Sequence, residues 1–189
     1  MTAASDSAPH RRLIGIVGPP GVGKSTMADR LARPDPHAAV LPMDGFHLPQ
    51  ERLRELGRRE RMGAPDTFDV AGFTRVLREL RTTETVIAPG FDRSIEEPVA
   101  GAITVGRGIR TVYVEGNYLL LWEEVAELLD ETWYLELDPV VRRRRLLDRH
   151  VASGKSPDAA AAWIERVDEP NARLIAASAA RATRTLAVD

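Results

Sequence analysis

Gly18-Pro19-Pro20-Gly21-Val22-Gly23-Lys24-Ser25 follows a short apolar run, residues 13–17, and precedes a segment in which Met27 and Leu31 fall four apart. An apolar run, a glycine-rich turn and a helical period in that order give the G-x-x-x-x-G-K-[ST] spacing its structural context. Glycines let successive backbone N–H groups turn inward and wrap an anion. The helix read over 24–33 points its positive end at the same charge. In such a loop Lys24 reaches the outer phosphates of a nucleotide and the Ser25 hydroxyl ligates Mg²⁺. Gly18, Pro19, Pro20, Gly21, Val22, Gly23, Lys24, Ser25 and Thr26 are therefore the expected nucleotide-binding residues.

Outward from this loop, short apolar runs alternate with helical periods. Residues 38–41, 111–114, 133–137 and 185–188 read as strands, with 86–88 and 102–105 as further candidates separated by a loop. Phe73, Val76, Leu77 and Leu80 fall at i, i+3, i+4 and i+7, the spacing of an amphipathic helix. Helices are also expected over 50–61, 120–129, 139–153 and 157–180, the last with a bend at Pro170. Strands separated by helices predict an α/β fold of three layers, a parallel sheet with helices on both faces. Residues 1–12 read as a disordered tail and 13–189 as one domain.

Composition narrows the function. The chain has 189 residues, no cysteine, 26 basic and 28 acidic residues and a formal net charge of −2. A disulfide scaffold and a thiolate metal site are excluded, and nothing in the total charge suggests a nucleic-acid partner. No apolar stretch approaches the roughly 20 residues of a membrane span, and residues 1–12 lack the apolar run of a signal peptide. The expected location is the cytoplasm. The oligomeric state is not legible, and a homodimer stays open.

Two acids follow strand candidates, where ligands of open α/β sheets bind. Asp44 suits the base that orients an acceptor hydroxyl, and Glu115 suits the metal or its water shell; the alternative is that each caps the next element. A guanine-reading N-K-x-D is absent. Asp69-Val70-Ala71-Gly72 fits D-x-x-G but does not end a strand, and reads as coincidence.

Gly18 to Ser25, Met43-Asp44-Gly45-Phe46-His47 and Val114-Glu115-Gly116-Asn117-Tyr118 together resemble the P-loop kinases grouped with uridine kinase, phosphoribulokinase and bacterial pantothenate kinase. The likeness is strongest to the branch called nucleoside/nucleotide kinase-like or fructose transport system kinase. Gly63-Ala64-Pro65-Asp66-Thr67-Phe68-Asp69, Phe91-Asp92-Arg93 and Asp168-Glu169-Pro170-Asn171-Ala172-Arg173 fit that branch as well. The resemblance implies that Asp44 activates the acceptor hydroxyl, that Glu115 lies near Mg²⁺, and that an arginine-rich lid follows the strand at 133–137.

Arg142 to Arg145 form a dense basic run inside that lid, expected over about 142–157. On a helical wheel Arg142, Arg145 and Arg149 lie within about 60° of one another, with Val140, Leu147 and Val151 opposite as the packing side. Arg145 and Arg149 are the expected clamps on the transferring phosphoryl group, because the guanidinium fork matches phosphate oxygens. Arg93, His47 and Tyr118 are expected to touch the acceptor, and Asn171 to lie near the adenine or the lid. His150 and the three tryptophans read as packing residues. The function expected is transfer of the γ-phosphate of ATP, with Mg²⁺, to a hydroxyl of a small molecule: a nucleoside, a sugar or a pantothenate-like alcohol. The alternatives are a nucleotide-binding regulator and an NTPase that uses water.

Overall fold

The structure is a computed structural model, and it describes residues 10–189. Its elements are β1 (Arg12–Val17), α1 (Lys24–Ala32), β2 (Ala38–Pro42), α2 (Gln50–Glu55), α3 (Val70–Thr82), β3 (Val86–Asp92), β4 (Glu97–Val105), β5 (Thr111–Gly116), α4 (Glu123–Ala126), β6 (Glu131–Glu136), α5 (Pro139–Ala152), α6 (Pro157–Trp163), α7 (Glu169–Ala176) and β7 (Arg184–Ala187). Five strands form one parallel sheet in the order β2-β5-β1-β6-β7. Helices cover both faces, as the alternation of elements predicts.

The central strand β1 is buried at every position after Arg12. A parallel strand covered on both sides reads as a continuous apolar run for this reason. Leu13 and Val17 face a large core shared with Phe73, Leu77 and Leu80 of α3, whereas Ile16 faces a smaller one with Val22, Ala28 and Leu135. Each large side chain buried in this way contributes about 1.5–3 kcal/mol. Asp69 caps α3 by accepting from the Gly72 N–H at 2.9 Å, which accounts for the D-x-x-G pattern in structural terms.

Several expectations are corrected. Residues 1–9 lie outside the described residues, but the tail expected over 1–12 does not reach Arg12. Arg11 is buried, and its guanidinium donates to the carbonyls of Leu80 (2.9 Å) and Thr83 (2.6 Å) at the end of α3. A helix C-terminus presents unpaired carbonyls, and an arginine satisfies several at once. The segments near 86–88 and 102–105 do not join the main sheet. They extend into β3 and β4, which pair antiparallel as a separate hairpin. The helix expected over 50–61 stops at Glu55 ahead of Gly57, which has φ +65°. The one expected over 120–129 shrinks to α4, and Leu119 and Leu120 are buried in the turn before it.

The helix expected over 157–180 is interrupted by a π-helical turn, Ile164–Asp168, immediately before Pro170. Proline cannot donate to the preceding turn and its ring crowds it, so the backbone widens there. The packing side of α5 departs in part from that expected, although Arg145 and Arg149 are exposed as expected. Val140 is 76% exposed, whereas Arg142 and Leu146 are buried. Arg142 is held by the Pro20 carbonyl at 3.2 Å and by the Glu169 carboxylate.

Candidate active site

The loop after β1 is wedged between β6 and α5. Gly21 has φ +83°, and a Cβ there would lie 3.0 Å from the Arg142 carbonyl oxygen. Only glycine combines that conformation with so close an approach. The loop delivers Lys24 to the start of α1, where the Lys24 ammonium donates to the carbonyls of Gly18 (2.9 Å) and Pro19 (3.2 Å). Burial pushes Lys24 down to about 8, against the opposing pull of Glu115 and Asp44. The side chain of Val22 is core and contributes only backbone to the loop. Thr26 is exposed on the first turn of α1.

Two carboxylates meet this lysine. Glu115 lies inside β5, buried, in register with Pro42 at the end of β2. Asp44 follows Pro42 in a single 3₁₀ turn, Met43–Phe46. Neighbouring strand ends thus bring together acids that are 71 positions apart in the chain. The Ser25 hydroxyl donates to Glu115 Oε1 at 3.0 Å. Burial raises the Glu115 pKa, and repulsion by Asp44 adds to it, while Lys24 and the Ser25 hydroxyl oppose. The donors here are all hard oxygens, the set that suits Mg²⁺ shared with phosphate. Ser25 and Glu115 would hold such an ion.

Asp44, Lys24, Ser25, Glu115, Arg93 and Arg149 all line one cleft of about 480 Å³. Arg93, at the tip of the β3–β4 hairpin, donates from Nη2 to Asp44 Oδ2 at 2.7 Å. His47 also lines the cleft, its ring 4.0 Å from that of Phe68 and 4.8 Å from that of Phe91. Its Nδ1–H donates to the Asp44 carbonyl at 2.8 Å, since a carbonyl can only accept. Burial pushes His47 below the ordinary histidine range, against the attraction of Asp44.

Two expected site residues lie elsewhere. Tyr118 is fully buried, packed on Phe68 and Trp122, and its hydroxyl donates to the Gly63 carbonyl at 2.5 Å. Arg145 is exposed and bonds the Asp189 carbonyl at 2.7 Å, outside the cleft but beside Gly23. His150 and Trp163, expected as packing residues, line the cleft instead, as do Arg59, Lys155 and Asp168, for which no site role is expected from the sequence. His150 Nε2–H donates to Asp168 Oδ2 at 2.8 Å, and both are nearly buried. Asp168 is the last residue of the π-helical turn. Asn171 lines the same wall and donates to the Gly63 carbonyl at 3.4 Å.

No protein-family model matches the chain. A chain described as a candidate fructose transport system kinase from Silicibacter sp. TM1040 superposes with a TM-score of 0.88 at 38% identity, over 97% of this chain and 93% of that one. An ATP-dependent kinase-like protein of Aspergillus versicolor is 41% identical over 133 residues, 64% of this chain and 77% of that protein. A candidate uridine kinase of Schizosaccharomyces pombe is 37% identical over 161 residues, 77% of this chain and 68% of that protein. With its phosphate-binding loop, paired strand-end acids and these likenesses, the chain belongs to the P-loop kinases of the uridine kinase, phosphoribulokinase and bacterial pantothenate kinase group, and is an ATP-dependent phosphotransferase.

Proposed function

We propose that the chain transfers the γ-phosphate of Mg-ATP to a hydroxyl of a small metabolite: a nucleoside, a sugar or a pantothenate-like alcohol. The observation that carries this reading is the placement of Asp44 and Glu115 on adjacent strand ends beside Lys24 and Ser25. Nucleotide binding alone needs no second acid in the cleft; a transferase needs one to orient and deprotonate the acceptor.

The loop and the N-terminus of α1 hold the phosphates, and Lys24 exchanges its contacts with Gly18 and Pro19 for phosphate oxygens. Ser25 and Glu115 hold Mg²⁺, which supplies charge neutralisation when bound. Asp44 accepts the hydroxyl proton. Arg149 and Lys24 neutralise charge on the transferring group, so catalysis is by alignment and electrostatics. Residues 142–157 act as the lid. Arg145 stands outside the cleft beside Gly23, bonded to the Asp189 carbonyl, and is not assigned to the transferring group. His47 and Arg93 face the acceptor, and Tyr118 acts on it through Gly63.

ADP release with Mg-ATP, measured against a panel of nucleosides, sugars and pantothenate, tests this. One acceptor should stimulate release, and Asp44→Asn should cut the stimulated rate by about 10²–10⁴-fold while ATP still binds. A background rate that no acceptor changes would point instead to a water-directed NTPase. Retained turnover in Asp44→Asn would remove the base assignment.

A further inference from the structure

The candidate base does not stand free in the cleft. Arg93, 49 positions away in sequence, donates to Asp44 Oδ2 at 2.7 Å. It neutralises the carboxylate and occupies one of its two oxygens. The Arg93 side chain is 63% exposed and that of Asp44 is 28% exposed. An ion pair so open to solvent is weak and screened by salt. It can be exchanged for another partner, as a buried pair could not be without large cost.

The hairpin is held so that this pair forms. Midway along β3, Gly45 lies so close to the hairpin that a Cβ there would stand 2.2 Å from the Pro89 carbonyl oxygen. At its tip, Gln50 Nε2 donates to the Ile95 carbonyl at 2.8 Å, and Arg59 Nη2 pairs with Glu96 Oε2 at 2.5 Å. Glu96 has φ +52°, and among the described residues it is the one residue other than glycine with a positive φ. Such a conformation costs free energy and persists where its surroundings over-determine it. The contacts from Gln50 and Arg59 supply that determination. Arg59, Arg93, Glu96 and Asp44 all line the cleft, so the tethers of the tip lie where an acceptor would bind.

We propose that Arg93 is the residue that makes this site select a hydroxyl acceptor over water, by holding the Asp44 carboxylate as an ion pair until the acceptor displaces it. This rests on Asp44 being the base, as read above. In productive transfer the acceptor oxygen forms a bond to the γ-phosphorus. The bond from that phosphorus to the β–γ bridging oxygen breaks, its electron pair stays on ADP, and the hydroxyl proton passes to Asp44. Water in the acceptor's place would give ADP and inorganic phosphate by the same bond changes. With Arg93 on Asp44, a lone water meets a neutralised carboxylate. An acceptor that fills the wall of Arg59 and Glu96 displaces the tip and frees the base as it delivers its hydroxyl.

The test is ADP release from Mg-ATP with no acceptor, compared for wild type, Arg93→Met, Arg93→Lys, Asp44→Asn and the double variant Asp44→Asn/Arg93→Met. Arg93→Met should raise acceptor-free release severalfold, and Arg93→Lys should restore much of the suppression. The double variant should fall back to the wild-type rate or below. Raised salt should increase release by wild type and leave Arg93→Met unchanged. Because Arg93 is largely exposed, the melting temperature should hardly move; should it fall, Glu96→Gln loosens the tip with Arg93 intact and should raise release to a smaller extent. Acceptor-free release in Arg93→Met at or below the wild-type rate overturns the proposal, as does a rise that survives Asp44→Asn. Failure of the kinase reading would show separately, as a wild-type enzyme that no acceptor stimulates.

Discussion

The two walls of the cleft are built in different ways. The nucleotide wall hangs on β1, β5 and the start of α1, whose side chains are mostly buried and whose strands pair on both edges. The proposed acceptor wall hangs on the β3–β4 hairpin and on short turns between Gln50 and Phe68. Much of β4 is exposed, and exchangeable ion pairs such as Arg59–Glu96 and Arg93–Asp44 hold the wall together. A site that must grip a triphosphate gains from rigidity. A wall that decides which hydroxyl enters gains from elements that can vary without disturbing the sheet.

Both walls rest on one large core, in which Val86, Ala88 and Val105 of the hairpin join Leu13, Val17, Val112 and Val114, and close contacts at the cleft offer ways to break the contrast. The largest expected effect is at Gly45. A methyl group there meets the Pro89 carbonyl at 2.2 Å, and backbone must shift to admit it. Gly45→Ala should cost about 1–3 kcal/mol of stability, as overpacking does. It should also lower acceptor-dependent turnover while leaving ATP affinity nearly intact, which denaturant melts and nucleotide titrations would show. Loss of ATP binding in that variant would mean that the two walls are one unit.

A smaller effect is expected at Tyr118, whose hydroxyl and the Asn171 amide both bond the Gly63 carbonyl. Three separate motifs of the sequence therefore converge on one backbone oxygen at the wall of the cleft. Tyr118→Phe should cost about 1 kcal/mol and raise KM for the acceptor more than KM for ATP. An equal rise in both would place Tyr118 in general packing instead.

The smallest expected effect is a pH dependence. Burial between Phe68 and Phe91 pushes His47 down, so the fold favours its neutral form. The unfolded chain then binds the proton more tightly. Stability from this group is complete above the ordinary histidine value of about 6.5 and is lost as pH falls from there toward the lower folded value. Urea melts at pH 7.5 and 5.5 should show wild type losing more stability on acidification than His47→Gln. Parallel losses would remove His47 from the account.

The phosphate loop was legible because its function depends on backbone geometry that glycine spacing encodes directly. Asp44 and Glu115 were legible because a strand end in a parallel sheet is a defined place, and both acids sit at one. The hairpin was not, since the runs around 86–88 and 102–105 are equally good as sheet strands, and only pairing decides which sheet receives them. Of the arginines on α5, Arg142 departs from the expectation. A helical wheel assigns apolar side chains to the core, but Arg142 has Glu169 and the Pro20 carbonyl waiting for it, and a satisfied guanidinium can be buried.

The sequence by itself determined the α/β architecture, the anion-binding loop and the two acids beside it, because local chain geometry and strand-end position carry that information. Tertiary structure alone decided that Arg93 stands on Asp44, that Tyr118 is buried with its hydroxyl on the Gly63 carbonyl, and that His150 and Asp168 enter the cleft. Those facts depend on contacts between residues from 18 to 55 positions apart, which no local period or spacing can specify.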